Sequence, residues 1–486
     1  MPGMRKERDS LGQMEVEDSA YYGIFTKRAL QNFRISGARP SHALLLGIAQ
    51  IKKAAAAANS KTGMLDRKIA LAIQQGAEEI LKGTHMEQFP LEKFTAGAGT
   101  AFNMNMNEVI ANLAIEKLGS RKGQYGIVHP NNHVNMSQSS NDVIPTAIRL
   151  AALQTQPQML NELAKLETEF LRKAGSHRST IKPGRTHLQD AVPATYSQVL
   201  TGYATATRKC RIRIQKAASE LLELGIGGTA IGTGITTHPK FQKEVVSELC
   251  KITGLQLKLA EDTMETTWSM ACFLQYSSAL RTAAAEFTKI CNDLMLLSSG
   301  PKTGIAEITL PEVEPGSSIM PGKVNPSIPE CMTMICSQII GNDLAVMEAA
   351  KAGQLELNVN TPLIADRLLE SISILASGTR MLREKCVSGM TIDTNRAAEL
   401  AENSLIMATA LSPYLGYEIV AELVKQGLKE KKTIRQMTLE HNLIPEKDLN
   451  IILDPLHMTR PAETDQKLLR EIRAGAAYRQ FRRSNG

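Results

Sequence analysis

Aromatic residues are scarce in this chain, at 4% with a single Trp. Sandwiches and barrels lean on aromatic and β-branched side chains, so that scarcity disfavours an all-β fold. Strict alternation of apolar and polar residues is almost absent as well, which leaves little room for strands. No uninterrupted apolar run approaches the ~20 residues a membrane helix needs, and MPGMRKERDS at the start lacks the apolar core of a signal peptide. No membrane partner is expected. The seven cysteines are odd in number and none is spaced as a zinc site or a CxxC motif, so they read as reduced thiols of a cytoplasmic protein. P-loop and HExxH motifs are missing, and the nine histidines are scattered without metal-ligand spacing. No metal or cofactor is expected. GIGGTA (225–230) matches a dinucleotide fingerprint formally, but it follows a helical pattern instead of a strand. The net charge of +7 lacks the clustered basic patch with interleaved aromatics that nucleic-acid binding requires. Only RQFRR (479–483) comes near, and it reads as a solvated tail.

Ala, Leu, Ile and Met are plentiful, which suits packed helices. The 486 residues allow two or three domains with a large core. The longest clean pattern runs over 262–298, where Phe273, Tyr276, Leu280, Ala283, Phe287, Ile290, Leu294 and Leu297 alternate spacings of three and four. That is the seam of a helix among near-parallel neighbours. Unbroken, it would span roughly 55 Å, too long for one small core. Further rods are expected over 143–174, 194–224, 329–350 and 362–386, with Pro193 and Pro329 at helix starts. Shorter patterns, broken by Gly and Asn, precede residue 140, and small helices follow residue 395. The expectation is an all-α protein: a helical N-terminal domain (1–140), a central long-helix bundle (141–395) and a small helical C-terminal domain (396–486).

Four polar loops separate these rods: TAGAGTAFNMNMNE (95–108), HPNNHVNMSQSSND (129–142), KPGRTHLQD (182–190) and GSSIMPGKVNP (316–326). Hydroxyls, amides and glycine-freed N–H groups beside helix ends are what a small polyanion requires, with Lys323 and Arg185 supplying charge. Ser, Thr, Asn and Asp also dominate caps and turns, so any one loop alone could be purely structural. His187 is likewise open to a structural or a functional reading. Four such loops in one chain favour a binding site.

GSSIMPGKVNP resembles the signature loop of the fumarase/aspartase superfamily. NMNMNEVIAN, HVNMSQSSND, GRTHLQDAVP and GGTAIGTGI resemble its other blocks in the same order, and the likeness runs from DSAYYGIFTKRALQNF (18–33) to DPLHMTRP (454–461). The resemblance implies a homotetramer with a twenty-helix core, each site assembled from three subunits, and a four-carbon dicarboxylate substrate that undergoes anti-elimination to fumarate. It implies that Ser317 is the base, that Ser318 binds substrate beside it, and that Lys323 and Asn325 hold the carboxylate that takes up charge. Thr100, Ser139, Ser140 and Asn141 would bind the other carboxylate and the leaving group. Thr186 and His187 would complete the pocket, with Glu330 orienting His187. AGQLELNV (352–359), LAEDTMETT (259–267), KICNDLMLLSSGP (289–301) and QFPLEKFTAGAGT (88–100) are similar to the aspartase branch, which implies loss of ammonia from L-aspartate. SQSSND (137–142) has the fumarase form, with Ser140 where aspartases carry Thr, so hydration chemistry on L-malate is the first alternative and ammonia addition to or removal from another amino dicarboxylate the next. Asn132, Ala101, Phe102 and ADRLLES (365–371) depart from the usual patterns. A non-catalytic homologue is disfavoured because Ser317, Lys323, Asn325, His187 and Glu330 are all present.

Overall fold

The computed structural model describes residues 3–485. It opens on an antiparallel hairpin that the pattern did not announce, β1 (Met4–Asp9) and β2 (Gly12–Glu17), in register from Met4–Glu17 to Asp9–Gly12. Its strands are so charged that only Glu7 and Val16 are buried, which hides them from a search for apolar alternation. The Arg5 guanidinium fastens the chain that follows by donating to the carbonyls of Glu17, Ala20 and Tyr22. Four helices come next: α1 (Ile24–Asn32), α2 (His42–Lys61), α3 (Arg67–Leu81) and α4 (Thr100–Lys117). The alanine-rich α2 is mostly buried, and its Gly47 lies so close to the next long helix that a Cβ there would stand 2.8 Å from the Ala147 carbonyl.

The long helices are α5 (Ser140–Ser176), α6 (Tyr196–Ala217), α9 (Ala271–Leu297), α10 (Ser327–Lys351) and α11 (Thr361–Leu382). Between them lie the strands β3 (Ile181–Thr186) and β4 (Gln189–Thr195) and the helices α7 (Phe241–Thr253) and α8 (Glu265–Trp268). The rod expected over 262–298 is broken. Ser269 turns extended between α8 and α9, with ψ of 124°, while its N–H still bonds to the Glu265 carbonyl at 2.8 Å. The longest rod is instead α5, whose 37 residues reach roughly 55 Å. In α9 the expected seam is buried from Phe273 to Leu294. Pro329 falls in the first turn of α10, as its missing N–H allows, whereas Pro193 lies in β4 and α6 begins three residues later.

The chain forms two compact units. One comprises Met1–Glu162, Cys210–Glu286 and Thr333–Gly378; the other comprises Leu163–Lys209, Phe287–Met332 and Thr379–Gly486. Within the second, α12 (Thr394–Glu402) packs against β3. The small helices α13 (Ser412–Leu415), α14 (Tyr417–Glu430), α15 (Ile434–Glu440), α16 (Glu446–Ile452), α17 (Gln466–Ala474) and α18 (Ala476–Asn485) close over a core that includes Leu411, Leu423, Met437 and Leu449. RQFRR is part of α18 and not a loose tail: Phe481 is buried, edge-on against His441 with ring centroids 4.7 Å apart. Among the described residues no helix is long and apolar enough to cross a membrane, and all seven cysteines are free thiols.

Candidate active site

The first unit carries Thr100, Ser139, Ser140 and Asn141. Thr100 opens α4, reached through Gly99 in the left-handed region (φ +77°), where a side chain would strike Ile144 at 2.9 Å. Its hydroxyl donates to the Gly97 carbonyl at 2.6 Å, and it borders a cavity of about 780 Å³ whose wall also includes Arg28, His129 and Asn131. That cavity does not extend to Ser139–Asn141. Ser139 precedes α5 and Ser140 and Asn141 open it, where the helix dipole favours an anion. The Ser139 hydroxyl accepts the Asn141 N–H at 3.3 Å, and the Asn141 amide donates to the Ala230 carbonyl at 2.8 Å.

What pins this turn is Asp142, which sequence reading passed over. One carboxylate oxygen accepts the Ser139 N–H, and the other accepts the N–H groups of Gly227 and Thr229, all at 2.9 Å. GIGGTA is thus a nest of N–H donors for a side chain of its own protein; the strand before it, Glu223–Leu224, is only two residues long, and the next helix begins no earlier than Phe241. Burial pushes the Asp142 carboxyl up to about 6, against the pull of those three N–H groups and of Lys52. Lys52 is fully buried nearby, and burial brings its amine down to about 7 although Asp142 opposes the shift. NMNMN, expected in a polar loop, lies inside α4, with Asn103, Asn105 and Asn107 all buried. Those asparagines satisfy much of their polarity locally: Asn103 bonds to Asn135 and Ser140, and Asn105 to the Gln88 carbonyl.

The second unit carries Thr186, His187, Ser317, Ser318, Lys323, Asn325 and Glu330. KPGRTHLQD is a β-hairpin instead of a loop, with Thr186 facing Gln189 across a two-residue turn. Both turn residues take positive φ, His187 at 54° and Leu188 at 61°. Asn and Gly are the usual occupants there; two ordinary side chains cost about 1–2 kcal/mol each. Strain at an exposed tip points to use. Arg185, expected to face a ligand, is instead spent on Glu307 at 2.6 Å. Glu307 also accepts from the Tyr196 hydroxyl at 2.8 Å and lies 3.6 Å from the Lys182 amine.

On the signature loop the Ser317 hydroxyl oxygen accepts two backbone N–H groups, from Ile319 at 3.2 Å and Met320 at 3.1 Å. Gly316 lets the two ends of the loop meet: a Cβ there would stand 2.0 Å from the Lys323 carbonyl. The Asn325 amide donates to the Gly316 carbonyl and closes the loop. Ser318 and Lys323 are exposed, and so is Glu330 in the first turn of α10. Among the described residues no group of three or more His, Cys, Asp or Glu side chains is placed to hold a metal ion.

The family model described as Lyase matches residues 12–341, with Fumarase C C-terminus matching 407–460. The chain belongs to this fumarase/aspartase superfamily. It is 46% identical over 460 residues to the aspartate ammonia-lyase of Pseudomonas fluorescens, covering 94% of this chain and 96% of that one. Identity to the Bacillus subtilis aspartate ammonia-lyase is 42% over 465 residues, 96% of this chain and 98% of the other. Among solved structures it is similar to a fumarate lyase:delta crystallin from Brucella melitensis, with TM-score 0.92 and 44% identity over 94% of this chain and all of that one. The class II fumarase of Schistosoma mansoni also gives TM-score 0.92, with 37% identity over 95% of this chain and 100% of its own.

Proposed function

We propose that the protein is an aspartate ammonia-lyase acting in the cytoplasm, and that Ser317 is its base. The observation that carries the assignment of the base is the pair of N–H groups on the Ser317 oxygen, in a chain whose full-length relatives include aspartate ammonia-lyases. A serine hydroxyl is a poor base in water, and an alkoxide is stabilised where N–H donors and a cation converge on it, the role assigned in this reading to Lys323 of the same loop. Ser317 takes the proton from the carbon next to one carboxylate. The electron pair moves into that carboxylate, which becomes a doubly charged aci-carboxylate held by Lys323 and Asn325. It then returns to form the C=C bond as the C–N bond breaks, so that ammonia leaves and fumarate remains. Thr100, Ser139, Ser140 and Asn141 bind the other carboxylate and the departing group, Ser318 and Thr186 line the site, and Glu330 orients His187.

The working form is a homotetramer with shared sites. Five long helices per chain would make a twenty-helix core in four copies. The exposed face of α10 is apolar, with Met334, Ile340, Leu344 and Met347 in view of solvent, and a face of that kind marks an interaction surface. The strained tip at His187 and Leu188, the latter 69% exposed, fits insertion into a neighbour's site. The division into segments 1–140, 141–395 and 396–486 belongs to the same proposal, the middle one carrying the core helices.

Fumarate hydratase is the second reading, favoured by Ser140 where aspartases carry Thr. Incubation with L-aspartate and L-malate side by side, reading ammonia release and the ultraviolet absorbance of fumarate, separates the two. L-Aspartate is expected to be the better substrate by at least about a hundredfold in kcat/KM, since a site built for one polar group rejects an analogue that leaves its donors unpaired. Fumarate from malate with no ammonia from aspartate overturns the assignment.

A further inference from the structure

Beneath the Ser139–Asn141 turn runs a chain of buried polar groups that the elimination itself does not use. Lys52 projects from an alanine-rich stretch of α2 and is fully buried, an expensive place for an amine. Its Nζ donates to Asn135 Oδ1 and Gln138 Oε1, each at 2.9 Å. Asn135 Oδ1 also accepts from Asn103 Nδ2 at 3.1 Å, and the same Asn103 nitrogen stands 3.2 Å from Ser140 Oγ. Asn103 is 1% exposed, and its own Oδ1 has no hydrogen-bond partner.

The polarity of this chain follows from its first member. Lys52 has two N–H donors as an amine and three as an ammonium, so in either form it can serve both amide oxygens. An ammonium can only donate, and the Asn135 Nδ2 bond to the Gln138 carbonyl at 3.2 Å holds the same orientation when Lys52 is an amine with a lone pair, so the Asn135 oxygen faces Lys52 in both forms. Asn103 must present NH₂ to that oxygen, because a flipped amide would set two acceptors face to face. The remaining proton of the same NH₂ meets Ser140, whose oxygen accepts it. The single Ser140 proton is then left to point elsewhere. Asp142, with three backbone N–H groups on its carboxylate, holds the turn still while this happens.

We propose that Lys52 and Asn103 are positioning residues that act through Asn135 to fix the Ser140 hydroxyl as a hydrogen-bond donor toward the substrate, so that this corner of the site takes a carboxylate oxygen in preference to an ammonium group. The proposal rests on reading Ser140 as a substrate contact. An ammonium has no lone pair with which to accept the Ser140 proton, whereas a carboxylate accepts it readily. The signal in the sequence is the spacing itself: a lysine inside an apolar alanine run, and asparagines inside a buried helix, are residues that packing alone does not select.

The test is a double-mutant cycle on L-aspartate turnover with Asn103→Ala, Ser140→Ala and the pair. Asn103→Ala is expected to raise KM about tenfold while kcat changes by less than about threefold, as for a lost hydrogen bond that orders a binding group. In the Ser140→Ala background the same change should add nothing, because there is no hydroxyl left to orient. Additive effects, or an unchanged KM in Asn103→Ala, overturn the proposal. Lys52→Met, which keeps the length and removes the donor, provides a second entry to the cycle and should show the same split and the same loss of effect without Ser140; a fall in kcat at unchanged KM there counts against it. If Ser140→Ala alone leaves KM unchanged, Ser140 is no substrate contact and the site reading beneath the proposal falls with it. A raised KM in Ser140→Ala beside a normal one in Asn103→Ala sinks the positioning role only.

Discussion

Arg185 and Glu307 are joined across 2.6 Å, and the Glu307 side chain is completely removed from solvent. This pair, with Tyr196 and Lys182 around it, fastens the hairpin whose tip holds Thr186 and His187. Removing one partner of a buried pair strands the other charge, at about 3–5 kcal/mol. Glu307→Leu should therefore lower the Tm clearly and reduce kcat/KM, whereas Asp293→Asn, on the nearby Tyr203 hydroxyl, should leave kcat/KM near normal. Thermal melts and steady-state kinetics on both variants check this; a Glu307→Leu protein with unchanged Tm would show that the pair holds nothing.

Ser317→Ala removes the proposed base without touching the loop backbone. Turnover of L-aspartate should fall by ~10²-fold or more, while binding of fumarate, read by equilibrium titration, stays within a fewfold of the parent. A variant that retains near-normal kcat would eliminate Ser317 as the base.

If sites are shared between chains, two dead proteins can repair each other. Ser317→Ala and His187→Ala protein, each inactive alone, should regain part of the activity after mixing under conditions of subunit exchange. Mass measurement confirms the exchange, and exchange without recovery would mean that both residues act in one chain's site.

The pH dependence of stability gives a separate reading of Lys52. Burial lowers its amine from 10.5 to about 7, with Asp142 opposing. Below about 7 folded and unfolded chains both carry the ammonium, and folding bears the whole cost of burying it. Between about 7 and 10.5 the folded chain has released the proton and the unfolded chain has not, so this residue makes stability rise with pH across that window. The Tm of the parent protein relative to Lys52→Met should climb from neutral to alkaline pH. A flat difference would mean that the amine titrates normally.

The rods were legible because each buries one stripe at a fixed period: α5, α10 and α11 begin within three residues of their expected starts. Signature residues were legible through resemblance. What escaped is instructive. The break at Ser269 carries no Pro or Gly, only an extended backbone between two helical stretches. The hairpin at 181–195 is bent by a register shift between Pro183 and Arg185, which spoils alternation. Asp142, Asn103, Lys52 and Glu307 are buried, and each has partners tens to more than a hundred residues away in sequence, as with Tyr196 and Glu307, 111 apart. Local patterns do not encode such pairings.

The three N–H groups on Asp142 have a consequence for the order in which the protein is made. Two of them belong to Gly227 and Thr229, which are 85 and 87 residues further along the chain. At about 5–20 residues per second, a ribosome delivers them on the order of ten seconds after Asp142 itself. Through that interval the carboxylate keeps its water, and the turn at Ser139–Asn141 lacks two of its fastenings. The turn at Ser139–Asn141 is thus set only when nearly half of the chain has been made, by the arrival of a glycine-rich segment far from it in sequence.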